Sequence, residues 1–289
     1  LGRLDEETTA YQDAIRLNPS DVDSLSNLGN IFFDRGQVDQ AMAKYEEALR
    51  VNPNDPETLN NLAVALEKKG LIDDAVMLWR RAIALDANCV PAHYNLGDTL
   101  FKKKGLSDEA LLHLKEAIRI KPDYWEAHNL LGIILWEKKG ELDEAISSFR
   151  RTIAINPEHP DAYYNLGGAL RAKGKLDSAI AYYREVIRLQ PDWGGGQYQL
   201  GVTLLQMGLV DEAVRSLKES IQLAPQHGDA HAALARARLQ EGAVDEAIAS
   251  LNESLRVEPE AADQNKVAEL LEEAERRRLE QDQELSTKP

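Results

Sequence analysis

The 289-residue chain carries 49 acidic against 34 basic residues, a formal net charge of -15. That balance argues against nucleic-acid binding, which usually leaves a basic patch. Its 43% hydrophobic and 29% charged residues suit a folded globular protein, and no apolar run approaches the roughly 18 residues a membrane span needs.

The one cysteine, Cys89, excludes an intramolecular disulfide and fits a reducing compartment, so a cytoplasmic location is expected. The length would hold one or two ordinary domains or one extended array, and internal repetition decides for the array. Gly2, Gly36, Gly70, Gly105, Gly140, Gly174, Gly208 and Gly242 recur at intervals of 34 or 35. Prolines 19, 53, 122, 157, 191, 225 and 259 keep the same period, with Ala87 where one more would fall. A third set is Ala41, Ala75, Ala110, Ala145, Ala179, Ala213 and Ala247.

Between these markers the apolar spacing is helical. Glycine separates two helices and proline ends the second, because glycine tolerates the left-handed C-terminal turn and proline cannot continue a helix. Residues 4–17 read as a lone second helix, with Tyr11, Ala14 and Leu17 at the packing positions of Tyr45, Ala48 and Val51. First helices are predicted at 23–35, 57–69, 91–104, 126–139, 161–173, 195–207 and 229–241. Second helices are predicted at 39–51, 73–85, 108–120, 143–155, 177–189, 211–223 and 245–257. An Asp three residues after each glycine (Asp5, Asp39, Asp73, Asp108, Asp143, Asp177, Asp211, Asp245) stands where it would cap the second helix and complement its dipole. Two units are longer by one residue in a lysine-rich first-helix end, at Lys102-Lys103-Lys104 and Glu137-Lys138-Lys139. A widened last turn or a tolerated insertion fits each. A final helix is expected near 262–283, apolar at Val267, Leu270, Leu271 and Ala274 and strongly charged from Glu275 onward, as a terminal cap must be. The chain begins inside a repeat without an initiator Met and reads as a fragment.

Leu-Gly in the first helix, Ala followed four residues later by an aromatic or Leu in the second, and a closing Pro together resemble the tetratricopeptide repeat. The best copies are Tyr163, Leu166, Gly167, Leu170, Ala179, Tyr183 and Pro191, and Leu25, Leu28, Gly29, Phe32, Ala41, Tyr45, Ala48 and Pro53. Arg238, at an apolar position, and Ala87, in place of Pro, depart from the pattern; the Arg238 stem is expected to pack with its head in water. The resemblance implies an all-α fold: an α-solenoid, a right-handed superhelix of antiparallel helix hairpins. It spans residues 1–259 as a half repeat (1–19) and repeats 22–53, 56–87, 90–122, 125–157, 160–191, 194–225 and 228–259. A capping helix with a charged tail occupies 262–289.

In such arrays the first-helix face opposite the packing face lines a concave groove that binds peptides. At about 100° per residue, Leu166 and Gly167 face the partner helix while Tyr164 and Asn165 face this groove. Collecting those positions gives an amide column, Asn27, Asn61, Asn95 and Asn165, interrupted at Leu130 with Asn129 one residue away and ending in Gln199. A primary amide offers donors and an acceptor together, so such a column can pair with a peptide backbone. Beside it stand Tyr94, Tyr164 and Tyr198, with Phe33, Phe101 and Trp136 toward one edge; exposed rings are common binding anchors, and packing between first helices is the alternative. Asp23, Glu57, Glu126, Asp161 and Asp229 start the first helices, read either as contacts for a basic ligand or as dipole partners. The family's carboxylate clamp is absent, its lysine position holding Ser26, Asn60, Tyr94, Asn129, Tyr164, Tyr198 and Ala232. First helices about 8–10 Å apart would each cover roughly three residues of a ligand advancing about 3.3 Å per residue.

Trp193-Gly194-Gly195-Gly196 interrupts a helix start and reads as a hinge or as a loosely wound first turn. His93, His128 and His231 share one packing position in different repeats and read as core residues, not metal ligands. No phosphate loop or nucleophile elbow is present, so no catalytic residue, metal or cofactor is assigned. The expectation is a non-enzymatic scaffold that binds partner proteins or peptides in its groove, without nucleic acid or membrane insertion. The alternatives are the recruiting arm of a larger enzyme, as in the O-linked N-acetylglucosamine transferase, and an assembly factor that forms homo-oligomers through its terminal repeats.

Overall fold

The computed structural model describes residues 2–138, 141–258 and 264–287. Among them the regular structure is entirely helical, with sixteen helices, and the chain forms an α-solenoid in two compact units, Leu1–Lys138 and Lys139–Pro289. Unit 1 runs from α1 (Gly2–Leu17) through the hairpins α2 (Val22–Asp34) and α3 (Val38–Val51), α4 (Pro56–Lys68) and α5 (Ile72–Leu85), and α6 (Val90–Lys104) and α7 (Ser107–Ile120), to α8 (Trp125–Glu137). Unit 2 begins with α9 (Leu142–Ile155). It continues through α10 (Pro160–Ala172) and α11 (Leu176–Leu189), α12 (Gly194–Gln206) and α13 (Val210–Leu223), and α14 (Gly228–Glu241) and α15 (Val244–Val257), to α16 (Gln264–Thr287).

From α2 to α15 each helix begins one residue before its predicted start, and the shift has a structural consequence. Asp39, Asp73, Asp108 and their equivalents stand second in their helices, where they complement the dipole, but the second helices have no side-chain cap hydrogen bond. The expected capping role is therefore corrected. These carboxylates instead receive the cation ending the next first helix: Arg35 with Asp5 at 2.7 Å, Lys69 with Asp39 at 2.8 Å, then Lys104 with Asp73, Lys138 with Asp108 and Lys173 with Asp143. The ladder stops where Met207 takes the next cation position. Side-chain caps occur on first helices, where Asp21 and Asp55 accept from the backbone N–H of Ser24 and Thr58.

Packing explains the alanine period and the glycine of the first-helix Leu-Gly pair. All seven alanines from Ala41 to Ala247 are fully buried. Four residues after each lies a large buried side chain: Tyr45, Trp79, Leu114, Phe149, Tyr183, Leu217 or Leu251, each at most 2% exposed. Burying such a group contributes about 1.5–3 kcal/mol. It presses close on the first helix: a Cβ on Gly167 would lie 2.8 Å from Tyr183 Cε1, closer than carbon contacts allow, so glycine is required there.

Gly105 takes the left-handed conformation, φ 67°, favourable only without a Cβ. The extra residue before it lengthens α6 to 15 residues, against 14 in α14, which also ends on a left-handed glycine, as continued α-helix, not as a widened turn. The second long unit has its Lys139 and Gly140 outside the described residues, as does Pro259. The expected packing of Leu17 is corrected: it is 83% exposed and Val51 43%, whereas Tyr45 and Ala48 are buried, and both exposed residues are the last of their helices. At the other end Val267 and Ala274 of α16 join a core with Ile248 and Leu251 of α15, and Leu270 and Leu271 pack against it. The expected solvated head of Arg238 is corrected: it is held by Glu241 at 2.6 Å and Glu246 at 2.8 Å, with the side chain mostly covered.

Candidate functional site

In unit 1 the first-helix face carries a closed amide network. Asn95 donates to Asn60 Oδ1 (3.0 Å), Asn60 to Asn61 Oδ1 (3.1 Å), and Asn61 to Asn30 Oδ1 (3.1 Å). The core joins it at two points, with Trp79 Nε1 donating to Asn60 Oδ1 at 3.1 Å and the Tyr45 hydroxyl to Asn30 Oδ1, at one end, at 2.7 Å. Ser26 and Thr58 pair their hydroxyls at 2.6 Å, and Thr99 donates to Glu67 at 2.8 Å. Buried polar groups need partners, and these find one another between helices, so Asn61 and Asn95 are already engaged. Asn27 and Asn165 enter none of these bonds and are half-buried; Asn129 is half-buried too, with its Oδ1 enclosed and unpartnered.

The tyrosines follow a second rule. Each touches the ring that caps the next first helix: Tyr94 meets Tyr124 at 5.2 Å between centroids, Tyr164 meets Trp193 at 5.0 Å, and Tyr198 meets His227 at 4.7 Å. Such tilted and edge contacts suit the ring quadrupoles. Burial pushes the Tyr94 and Tyr198 hydroxyls upward, with Asp98 adding at Tyr94 and Asp229 at Tyr198, where Arg171 and Arg236 pull the other way. Tyr124 is pushed up to about 12 by burial and Glu126. All these phenols stay neutral donors near pH 7. Phe33, Phe101 and Trp136 are half-buried at the edge.

In unit 2 these rings open onto a crevice of about 690 Å³ between α10, α12 and α14, lined by Tyr164, Trp193, Tyr198, Gln199, His227 and Asp229 among others. Gln199 Nε2 donates to the Tyr164 hydroxyl at 3.0 Å, leaving that hydroxyl its own proton to donate. The three glycines have a packing reason in place of a loose first turn. A Cβ on Gly195 would fall 2.7 Å from the Trp193 ring, one on Gly194 3.0 Å from the Ser220 carbonyl, and one on Gly196 3.1 Å from Val186. The helix starts regularly at Gly194, and the Ser220 hydroxyl donates to its carbonyl at 2.9 Å. A smaller crevice of about 500 Å³ in unit 1 holds Asn60, Asn61, Glu57, Asp55 and Cys89. Burial first, then Asp86, Glu57 and Asp55, raises the Cys89 thiol, keeping it a poor nucleophile.

His93, His128 and His231 occupy equivalent places, each Nε2 within 3.0–3.2 Å of the carbonyl six residues earlier. His93 and His231 are buried and His128 is half-buried. His93 also meets His113, Nδ1 to Nδ1 at 3.1 Å, and no group of three or more His, Cys, Asp or Glu among the described residues is placed to hold a metal ion. No helix among the described residues is long and apolar enough to cross a membrane. Sequence reasoning missed Asn30, Trp193 and His227 as members of these faces, and placed Asn60 at a groove position without its network. Trp193 and His227 were legible in principle, since both stand at the cap position of Tyr124.

Comparison with known proteins matches this geometry. Tetratricopeptide repeat models match residues 10–43, 57–85, 137–192 and 204–273, and a further TPR repeat model matches 29–70 and 101–139. No curated protein matches by sequence. Among solved structures, MamA is 30% identical over 57% of this chain and 95% of its own, with a TM-score of 0.51. Pseudomonas aeruginosa pilF is 20% identical over 77% and 94%, TM-score 0.62. YrrB, described as a TPR protein with an unusual peptide-binding site, is 23% identical over 64% and 95%, TM-score 0.58. The last two likenesses concern the fold alone; the repeat models, the helix hairpins and the packing of alanine and glycine together place this chain in the tetratricopeptide repeat family.

Proposed function

We propose that the protein is a non-enzymatic interaction scaffold whose first-helix faces bind segments of partner proteins. The observation that carries this reading is the unit 2 crevice, where rings, an amide and a carboxylate from three successive first-helix segments line one open space. Apolar walls with a few placed polar groups are the usual makings of a binding site, and large rings at such places carry much of the affinity. The description of YrrB as peptide-binding supports it. Within the face, Asn27, Asn129 and Asn165 are the amides outside the closed network; Asn61 and Asn95 act by holding it in place. Tyr94, Tyr164, Tyr198 and Gln199 supply the contact surface.

Panning a random peptide library on the immobilised chain tests the reading. Selected peptides should lose at least about tenfold in affinity on the variant Tyr164→Ala with Asn165→Ala, while its melting temperature stays within a few degrees of wild type. Undiminished binding by that variant would overturn the assignment of the face.

A further inference from the structure

A related constellation occurs in both units, with other rings and a different occupant of the cation position. In unit 1, Lys121 at the C-cap of α7 places its Nζ 5.2 Å from the centroid of the Tyr124 ring, within cation–π range. Tyr94 meets that ring, and Glu126 acts on it electrostatically. In unit 2 the rings return as Tyr164 with Trp193 and Tyr198 with His227, and Asp229 stands where unit 1 has Glu126. The residues equivalent to Lys121 are Gln190 and Ala224, the C-caps of α11 and α13. Ala224 lines the crevice at the place from which a lysine would reach the ring. Unit 1 thus fills this position with a cation of its own chain, and unit 2 retains the rings and the carboxylate without one.

On the reading that these faces bind partner segments, we infer that the unit 2 crevice receives the cationic side chain, lysine or arginine, of such a segment. The cation lies against Trp193 and the Tyr198–His227 pair, close to Asp229. Gly195 is part of the device, since a Cβ there would displace the Trp193 ring. Arg171 and Arg236 also act on Tyr198, but each lies seven residues along its helix from Tyr164 or Asp229, about 10 Å at 1.5 Å per residue. They favour a ligand whose charge enters at the Asp229 end.

The test uses the full chain and capped pentapeptides Gly-Gly-X-Gly-Gly with X lysine, arginine, norleucine or glutamate, followed by the Trp193 indole N–H resonance. Lysine and arginine peptides should shift it saturably and the other two should bind at least about tenfold more weakly. Two variants sharpen the result. Ala224→Lys should restore the intrachain cation and lower affinity for the lysine peptide about tenfold, and Asp229→Asn should lower it about threefold, with both melting near wild type. Should Ala224→Lys fold poorly, Asp229→Asn together with the norleucine comparison decides. Equal shifts by lysine and norleucine peptides would overturn the cation and leave the binding face standing. If no pentapeptide moves Trp193 while library peptides still bind, the crevice assignment falls alone; if neither binds, both readings fall.

Discussion

The two units use one register of first-helix positions differently. Unit 1 engages Asn95, Asn60, Asn61 and Asn30 with one another and with Trp79 and Tyr45 of the core, leaves Asn27 and Asn129 outside that network, and covers a ring with Lys121. Unit 2 leaves Asn165 outside any such network and opens its rings onto a crevice. A polar residue on a predicted groove is therefore evidence of binding only after its hydrogen bonds are accounted for. Where they close among themselves, the residue stabilises the array; where they stay open, it is available to a ligand.

The comparison breaks most visibly at Trp79. Trp79→Ala removes a fully buried indole and orphans one bond of Asn60, so unit 1 should lose about 3–5 kcal/mol, read by urea denaturation as loss of an early transition while unit 2 persists. Gly167→Ala tests unit 2 alone. A methyl 2.8 Å from the Tyr183 ring should cost about 1–3 kcal/mol through overpacking, and Tyr183→Leu in the same chain should recover part of it. A smaller contrast separates two asparagines of the one column: Asn95→Ala should cost about 0.5–1.5 kcal/mol, and Asn165→Ala should leave the melting temperature nearly unchanged. Equal costs would show that the two faces do not differ as described.

Acid supplies a fourth contrast. Burial, then His93, holds His113 below its ordinary value of 6.5, with Glu109 pulling the other way and Arg80 adding a smaller push down. The unfolded chain then binds more protons than the folded one once pH falls to that value, so stability present at neutral pH is lost on acidification below it. Melting between pH 7 and pH 5 should fall less for His113→Gln than for wild type. The smallest effect is expected for Lys69→Met, which breaks an exposed ion pair and should change stability by less than about 1 kcal/mol.

Much of this was legible without coordinates. Second-helix ends matched their predicted residues from Val51 to Val257; a proline ahead of the turn accounts for most of them, but α5 ends in register with Ala87 in its place. The candidate site was less legible. Placing Tyr164 and Asn165 on the face away from Leu166 needs only the helical repeat, but Asn60 could not be recognised as the centre of a network, since its partners come from α4, α5 and α6 together.

The sequence by itself determined the helix hairpins, their period and their buried seam, because 3.6-residue spacing, alanine at the closest approach and glycine in the turn act within one repeat. Only the tertiary structure decided that Asp39 and its equivalents pair with the next repeat instead of capping, that Gly194 to Gly196 are packed instead of loose, and which groove side chains remain open. The ion pairs depend on distances between residues some 30 positions apart, and the glycine and groove contacts on how neighbouring helices pack, so each partner is set by how successive helices stack, which periodicity alone does not encode.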